Sequence, residues 1–372
     1  SNDWKNILVL LCVNLILSLA TYKLVMWNMN KYKRQNAVEK TLDMEFDDDH
    51  GWKLLLGDIY RQPGKLSLLC TLVGSGIHTL ATALIISFMG ASGILPVGNR
   101  GLLATASILV FSLLPFITSF TSMKLYLLYE GRLFKRNMTL NCCLVPLFIF
   151  GLLLSTNISN VVKLPSHIHS PSVIPLKVLI AFIPMWLILY VPSALLGSVL
   201  AKKTTRSDKQ PRKVNKIQRL IPPQPFFSKM IFLCILVSAL PFSSVFLIIK
   251  HTFGNDILIS GLIPKEQYIL LSVSLIVVAY NCFIMGVIIT YSLLIFENWK
   301  WCWKAFMTLF IGMFGYTFVY GCFIIDAYHN IVKYLALGLL LGLICGSFSF
   351  LGGIVCVKKM FSEKGHTSDR LV

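Results

Sequence analysis

Charge is scarce in this chain: 13% of its 372 residues are Asp, Glu, Lys or Arg, against about 25% in soluble domains. Acidic residues are the rarer sign, 16 against 34 basic ones, and none falls midway along a long apolar run; Glu130, Glu297 and Asp326 stand at run ends. That weakens proton- or sodium-coupled transport, which works through ionisable groups inside the membrane. H-E-x-x-H, G-x-S-x-G and a Gly-rich phosphate loop are all missing, so hydrolytic and nucleotide chemistry has no residue to act through. The chain is therefore read as a non-enzyme. Its ten cysteines, at 12, 70, 142, 143, 234, 282, 302, 322, 345 and 356, contain no C-x-x-C pair, which removes zinc-finger and thioredoxin-like readings. They are read as small buried hydrophobes, with no metal or cofactor to hold.

What the chain has is apolar residues, 56% of the total, and a mean hydropathy of +0.73. They come in blocks. A helix needs about 20 apolar residues to cross about 30 Å of hydrocarbon, and nine stretches qualify: 6–27, 66–89, 102–123, 140–159, 174–200, 230–249, 267–295, 305–325 and 334–357. Each is continuously apolar and lacks the in/out alternation of a barrel strand. The expected fold is an all-α polytopic membrane protein, a bundle of nine transmembrane helices. Its parts are a first span (1–27), a loop with an acidic run (28–65), spans 2–5 (66–200), a basic Pro-rich loop (201–229), spans 6–9 (230–357) and a tail (358–372).

Lys and Arg set the orientation, because positive loops stay cytosolic. The odd-numbered connections and the C-terminal tail carry 26 of the 34 basic residues and 12 of the 16 acidic ones. The N-terminus is thus expected in the lumen and the C-terminus in the cytosol, with +14 of the +18 net charge on the cytosolic side. Topology accounts for that surplus without nucleic acid. No cleavable signal core precedes the first apolar run, so the chain is expected to continue before residue 1. Of two glycosylation sequons, Asn137 falls on the cytosolic side and Asn157 against the lumenal membrane face.

Few residues carry site chemistry. His78 is the one deep titratable side chain in a span, read first as a hydrogen-bonding residue between helices. His167 and His169 form an H-x-H pair, read as a solvated loop. Gly338, Gly342 and Gly346 recur at i, i+4 and i+8 on one face of span 9, letting another helix backbone approach closely; the partner is a neighbouring span or a client helix. Prolines 115, 146, 184, 192 and 241 should kink their spans. Lys202, Lys203, Arg206, Lys209, Arg212, Lys213, Lys216 and Arg219 crowd the fifth connection and suit anionic lipid as well as simple orientation. The first connection has an acidic run at 45–49, then a short apolar segment with Trp52 and Tyr60 suited to the headgroup region.

That segment carries a signature. Gly51, Trp52 and Lys53, then Gly57, Asp58, Arg61 and Pro63, resemble the G-W-K-x-x-x-G-D-x-x-R-x-P motif of the transmembrane nine superfamily, the nonaspanins. Lys124, Tyr126, Gly131, Lys135 and Asn137 are similar to that family's segment after its third span. Ile221, Pro222, Gln224 and Phe226 are similar to its I-P-x-Q-x-x-[YF] stretch, and Leu240, Pro241 and Phe242 to its L-P-F. Tyr291, Glu297, Trp301 and Trp303 resemble its motif between spans 7 and 8, with Cys302 breaking the triple Trp and Asn298 replacing an Asp. The chain looks like a divergent, fungal-type member. The family's lumenal domain does not precede Trp4, its span 7 acid has no counterpart near Asn281, and no K-x-D/E signal closes the chain.

The resemblance implies a protein of Golgi and endosomal membranes that sorts and delivers other membrane proteins, influences adhesion, and recognises glycine-rich helices of its clients. Implied partners are membrane lipids, client helices and, at the cytosolic loops, coat proteins or anionic lipids. Asp58 is expected to pair with a cation of the fifth connection. The alternatives are a transporter or channel lined by His78 and Asn281, and a lipid-handling scaffold.

Overall fold

The computed structural model describes residues 3–42, 55, 57–95, 100–162, 176–204, 214, 216–246, 249, 265–324 and 331–361. Helix α1 runs Asp3–Leu42, α2 Leu66–Ser92, α3 Arg100–Leu113, α4 Pro115–Leu128 and α5 Phe134–Val162. Then come α6 Leu176–Met185, α7 Val191–Thr204, α8 Met230–Ser243, α9 Lys265–Ile295, α10 Trp301–Val319 and α11 Ile331–Phe361. Among the described residues, eight helical stretches are long and apolar enough to cross a membrane. The protein is all-α and polytopic. Of the ninth stretch, expected at 230–249, the described part is α8, whose 14 residues reach about 21 Å at 1.5 Å per residue, with helical residues again at 246 and 249.

The prolines act differently from one another. Pro115 breaks span 3 into α3 and α4, since Leu114 leaves helical geometry. Between Pro184 and Pro192 the chain makes a π-turn, Trp186–Tyr190, where one residue too many per turn loosens the ladder. Pro146 sits inside an unbroken α5. The first helix also runs on to Leu42, well past the apolar limit at 27. Residues 28–42 contain neither Gly nor Pro, so nothing stops the helix when the apolar run ends.

Helices α9 and α11 form the centre, α11 packing on α10, α9 and α2, while α4 packs on α7 and α2. Small residues permit this closeness: a Cβ at Gly286 of α9 would collide with the Ser349 carbonyl, and one at Gly352 of α11 with that of Phe283. Helix α1 lies outside against α9, tied to α8 where Ser243 Oγ donates to Asn14 Oδ1 at 2.8 Å. All ten cysteines are free, and seven are buried.

Candidate functional site

At one pole of the bundle the first, fifth and seventh connections meet. Leu55, Ile59 and Tyr60 are buried against the spans, which anchors the first connection by its apolar side. Asp58, 1% exposed, pairs through Oδ1 with Arg61, whose Nε donates at 2.9 Å. The partner is therefore three residues along the same turn, not a cation of the fifth connection. A pair this local needs no long-range docking to form. Arg61 instead reaches the fifth connection through its own fork, Nη2 donating to the Ile217 carbonyl at 3.4 Å, and its guanidinium lies 5.6 Å from the Trp299 ring centre.

The fifth and seventh connections lock in turn. Arg219 Nη2 bonds Glu297 Oε2 at 2.8 Å, and Trp299 Nε1 donates to the Arg219 carbonyl at 3.0 Å. Gln224 Nε2 donates to the carbonyls of Pro222 and Phe296, both at 3.0 Å. Ile221 and Pro222 are half-buried beside it, whereas Phe226 is exposed under Lys229. Trp301 is buried, stacked on Phe350, and donates to the Ile59 carbonyl at 3.3 Å. Trp303 Nε1 donates to the Gly64 carbonyl at 2.7 Å. Cys302, in the place of the central Trp, meets the Tyr129 hydroxyl at 3.4 Å, and burial with that neighbour pushes the Tyr129 phenol well above its usual range. Tyr291 lies half-buried in α9, one helical stretch below.

These are positions of one cap: Gly57, Asp58, Arg61, Pro63, Ile221, Pro222, Gln224, Glu297, Trp301 and Trp303 come together around it. Trp299, which no motif reading singled out, and Arg219, read only as one of the basic cluster, tie it together. Gly51, Trp52 and Lys53 lie outside the described residues, as do the acidic run at 45–49, His167, His169, Asp326, residues 205–213 and the tail beyond Phe361.

Farther into the bundle, Gly338, Gly342 and Gly346 face Phe314, Phe310 and Phe306 of α10. The stripe is a contact within the chain, and α10 occupies the face a client helix would need. His78 is fully buried, with Nε2 3.0 Å from the Phe111 carbonyl. That carbonyl lies four residues before Pro115, which has no N–H to offer it. Ser193 mends the rest of the break, accepting from Phe116 N–H at 3.1 Å and donating to the Leu113 carbonyl at 3.3 Å. Asn281 donates to Ser244 Oγ at 2.9 Å. Asn137, read as a loop sequon, is buried in α5 and bonded to Ser122. Among the described residues no three His, Cys, Asp or Glu side chains gather to hold a metal ion.

The chain matches the family described as Endomembrane protein 70 over residues 3–333. It belongs to the transmembrane nine superfamily. Transmembrane 9 superfamily member 1 of Saccharomyces cerevisiae is 30% identical over 365 residues, 95% of this chain and 53% of that protein. Member 2 of the same yeast is 30% identical, over 87% of this chain and 48% of its own. Member 4 of Homo sapiens is 24% identical, over 96% and 55%. This nonaspanin thus spans about half the length of the curated relatives it matches. No solved structure matches it.

Proposed function

We propose that this nonaspanin sorts and delivers other membrane proteins in Golgi and endosomal membranes, and so influences adhesion, by recognising client helices inside the bilayer. In this reading it is a multi-pass, non-enzymatic protein with a lumenal N-terminus and a cytosolic C-terminus, the orientation its loop charge favours. Coat proteins would meet the cytosolic connections.

One observation carries the proposal. Because α10 fills the glycine stripe of α11, a client must be met on the outside, and α8 and α10 leave an apolar groove of about 480 Å³ there, lined by Ile231, Ile235, Ile311, Gly315 and Val319 among others. A Cβ at Gly315 would meet nothing within 4 Å. Small residues in such a furrow let a second helix approach by van der Waals packing, the main source of helix association in lipid. A single apolar span fits this chemistry. A photoreactive residue at position 315 should capture single-span cargo, and Gly315→Trp should lower client delivery while the protein stays inserted. Unchanged surface levels of clients in that variant would remove the groove from the mechanism.

A second reading, a transporter for a small solute, draws on one feature. His78 Nδ1, Asn141 Nδ2, Thr118, Ser119 and Ser198 offer buried polar atoms with no hydrogen-bond partner among the described residues. Solute flux in reconstituted liposomes that vanishes in His78→Ala would favour it.

A further inference from the structure

Beside the cap lies a cavity of about 440 Å³ whose lining includes Tyr60, Arg61, Gln62, Tyr126, Glu130 and Arg132. Its walls come from the turn between α4 and α5, from the first connection and, at Val214, from the fifth. The turn is built around Tyr126. A Cβ at Gly131 would run into the Tyr126 ring, and the Tyr126 hydroxyl accepts the Leu133 N–H at 2.9 Å, so its own proton is left to donate elsewhere. Arg61 is held at the wall by Asp58 and Trp299. Arg132 is exposed and makes no ion pair among the described residues.

Described basic residues crowd the rim. Lys202 Nζ sits 4.7 Å over the Phe134 ring, next to lining residue Leu133. Lys135 and Arg136 follow in the first turn of α5, which carries no acidic residue, and Lys216 stands two residues from Val214; all are exposed. The carboxylate in the lining is Glu130, while Asp58 is paired with Arg61. Guanidinium, phenol and amide donors in a concave site, ringed by lysines at the membrane edge, suit a phosphate carried on a hydroxylated head.

We infer that this cavity binds the phosphorylated headgroup of an anionic phospholipid, with Arg132 as the principal phosphate contact and Tyr126, Tyr60 and Gln62 as donors to the head. The assignment stands apart from client recognition and takes from the proposed orientation only that this pole faces the anionic leaflet.

The test is the full chain in nanodiscs, which expose both poles, so a wrong orientation does not affect the result. A photoactivatable phosphatidylinositol phosphate in a phosphatidylcholine bilayer should crosslink within residues 126–133. Arg132→Gln should weaken that labelling about fivefold or more, the worth of one basic side chain at an anionic surface. Lys265→Gln, at the opposite end of the bundle, should leave it unchanged. Soluble inositol phosphate should compete poorly, because it lacks the bilayer anchor. Equal labelling in Arg132→Gln, or labelling confined to the opposite pole, overturns the site. Competition by soluble inositol phosphate at matched concentration overturns the lipid as its source.

Discussion

The contrast between Gly342 and Gly315 yields a graded stability prediction. A Cβ at Gly342 would stand 2.7 Å from the Phe310 carbonyl oxygen, and one at Gly346 2.9 Å from that of Phe306. At Gly338 the nearest atoms, in Phe314, are 3.2 and 3.3 Å away, and at Gly315 nothing lies within 4 Å. Ala in place of a helical Gly gains up to about 1 kcal/mol in backbone terms. Forcing a carbon into a packed contact costs about 1–3 kcal/mol, and here the atom in the way is backbone, which cannot swing aside. Gly342→Ala should therefore be neutral to about 2 kcal/mol destabilising, and Gly315→Ala stabilising by up to about 1 kcal/mol. Gly346→Ala and Gly338→Ala should fall between, in that order. The assay is thermal loss of the monodisperse species in detergent, where 1 kcal/mol moves the midpoint by about 2–4 °C in a chain of 150–250 residues and less in a longer one. If Gly342→Ala melts with or above Gly315→Ala, the assignment of the stripe to α10 fails.

Three further outcomes follow from the same structure. His78→Phe leaves the Phe111 carbonyl without its donor and should cost about 1–3 kcal/mol; in a Pro115→Ala background the restored N–H at 115 should reduce that cost, and an undiminished loss in the double variant would detach His78 from the proline break. Trp301→Phe should destabilise by about 1–3 kcal/mol, since the Ile59 carbonyl it bonds is buried, while Trp303→Phe, at a partly exposed bond, should cost less by the same melting assay. A double-mutant cycle on Arg219 and Glu297, whose side chains are 33% and 24% exposed, should give a coupling below about 1 kcal/mol that shrinks with added salt; a coupling several times larger would mean the pair is desolvated.

Much of the helical plan was legible because lipid imposes a simple code: about 20 apolar residues per crossing and no exposed backbone. That code is silent about what happens beyond the apolar run. It ends span 1 near residue 27, whereas the polar continuation to Leu42 stays helical because nothing in it breaks a helix. It places Asn137 in a connection, whereas α5 starts at Phe134 and buries it against Ser122. Pro115 is visible in sequence, but that His78 supplies the missing donor depends on two spans meeting at one height. The cap motifs were legible as motifs. Their partners were not: Asp58 and Arg61 sit three apart inside one motif, while Trp299 connects them to Arg219 across sequence separations that periodicity does not register. The cavity is harder still, since three connections each contribute part of its wall.

The cap also shows where the chain tolerates strain. Its described non-glycine residues with positive φ are Lys65 (54°), Glu130 (53°) and Glu297 (55°), and each stands where the chain enters or leaves a span at the basic pole. A left-handed backbone costs about 1–2 kcal/mol in a side-chain-bearing residue and little in glycine. Glycine would serve each turn equally well as backbone, so the explanation lies in the side chains. Glu297 uses its position to hold Arg219, and with it the contact between the fifth and seventh connections. Glu130 lines the cavity with Tyr126 and Arg132, where a carboxylate can accept from the hydroxyls of a head whose phosphate Arg132 binds. Among the described lining residues this acid discriminates: it disfavours a bare polyphosphate and favours a headgroup that offers hydroxyls beside its charge. The basic residues of this pole, read from the sequence as a topology signal, are in that proposal also the recognition chemistry of a site.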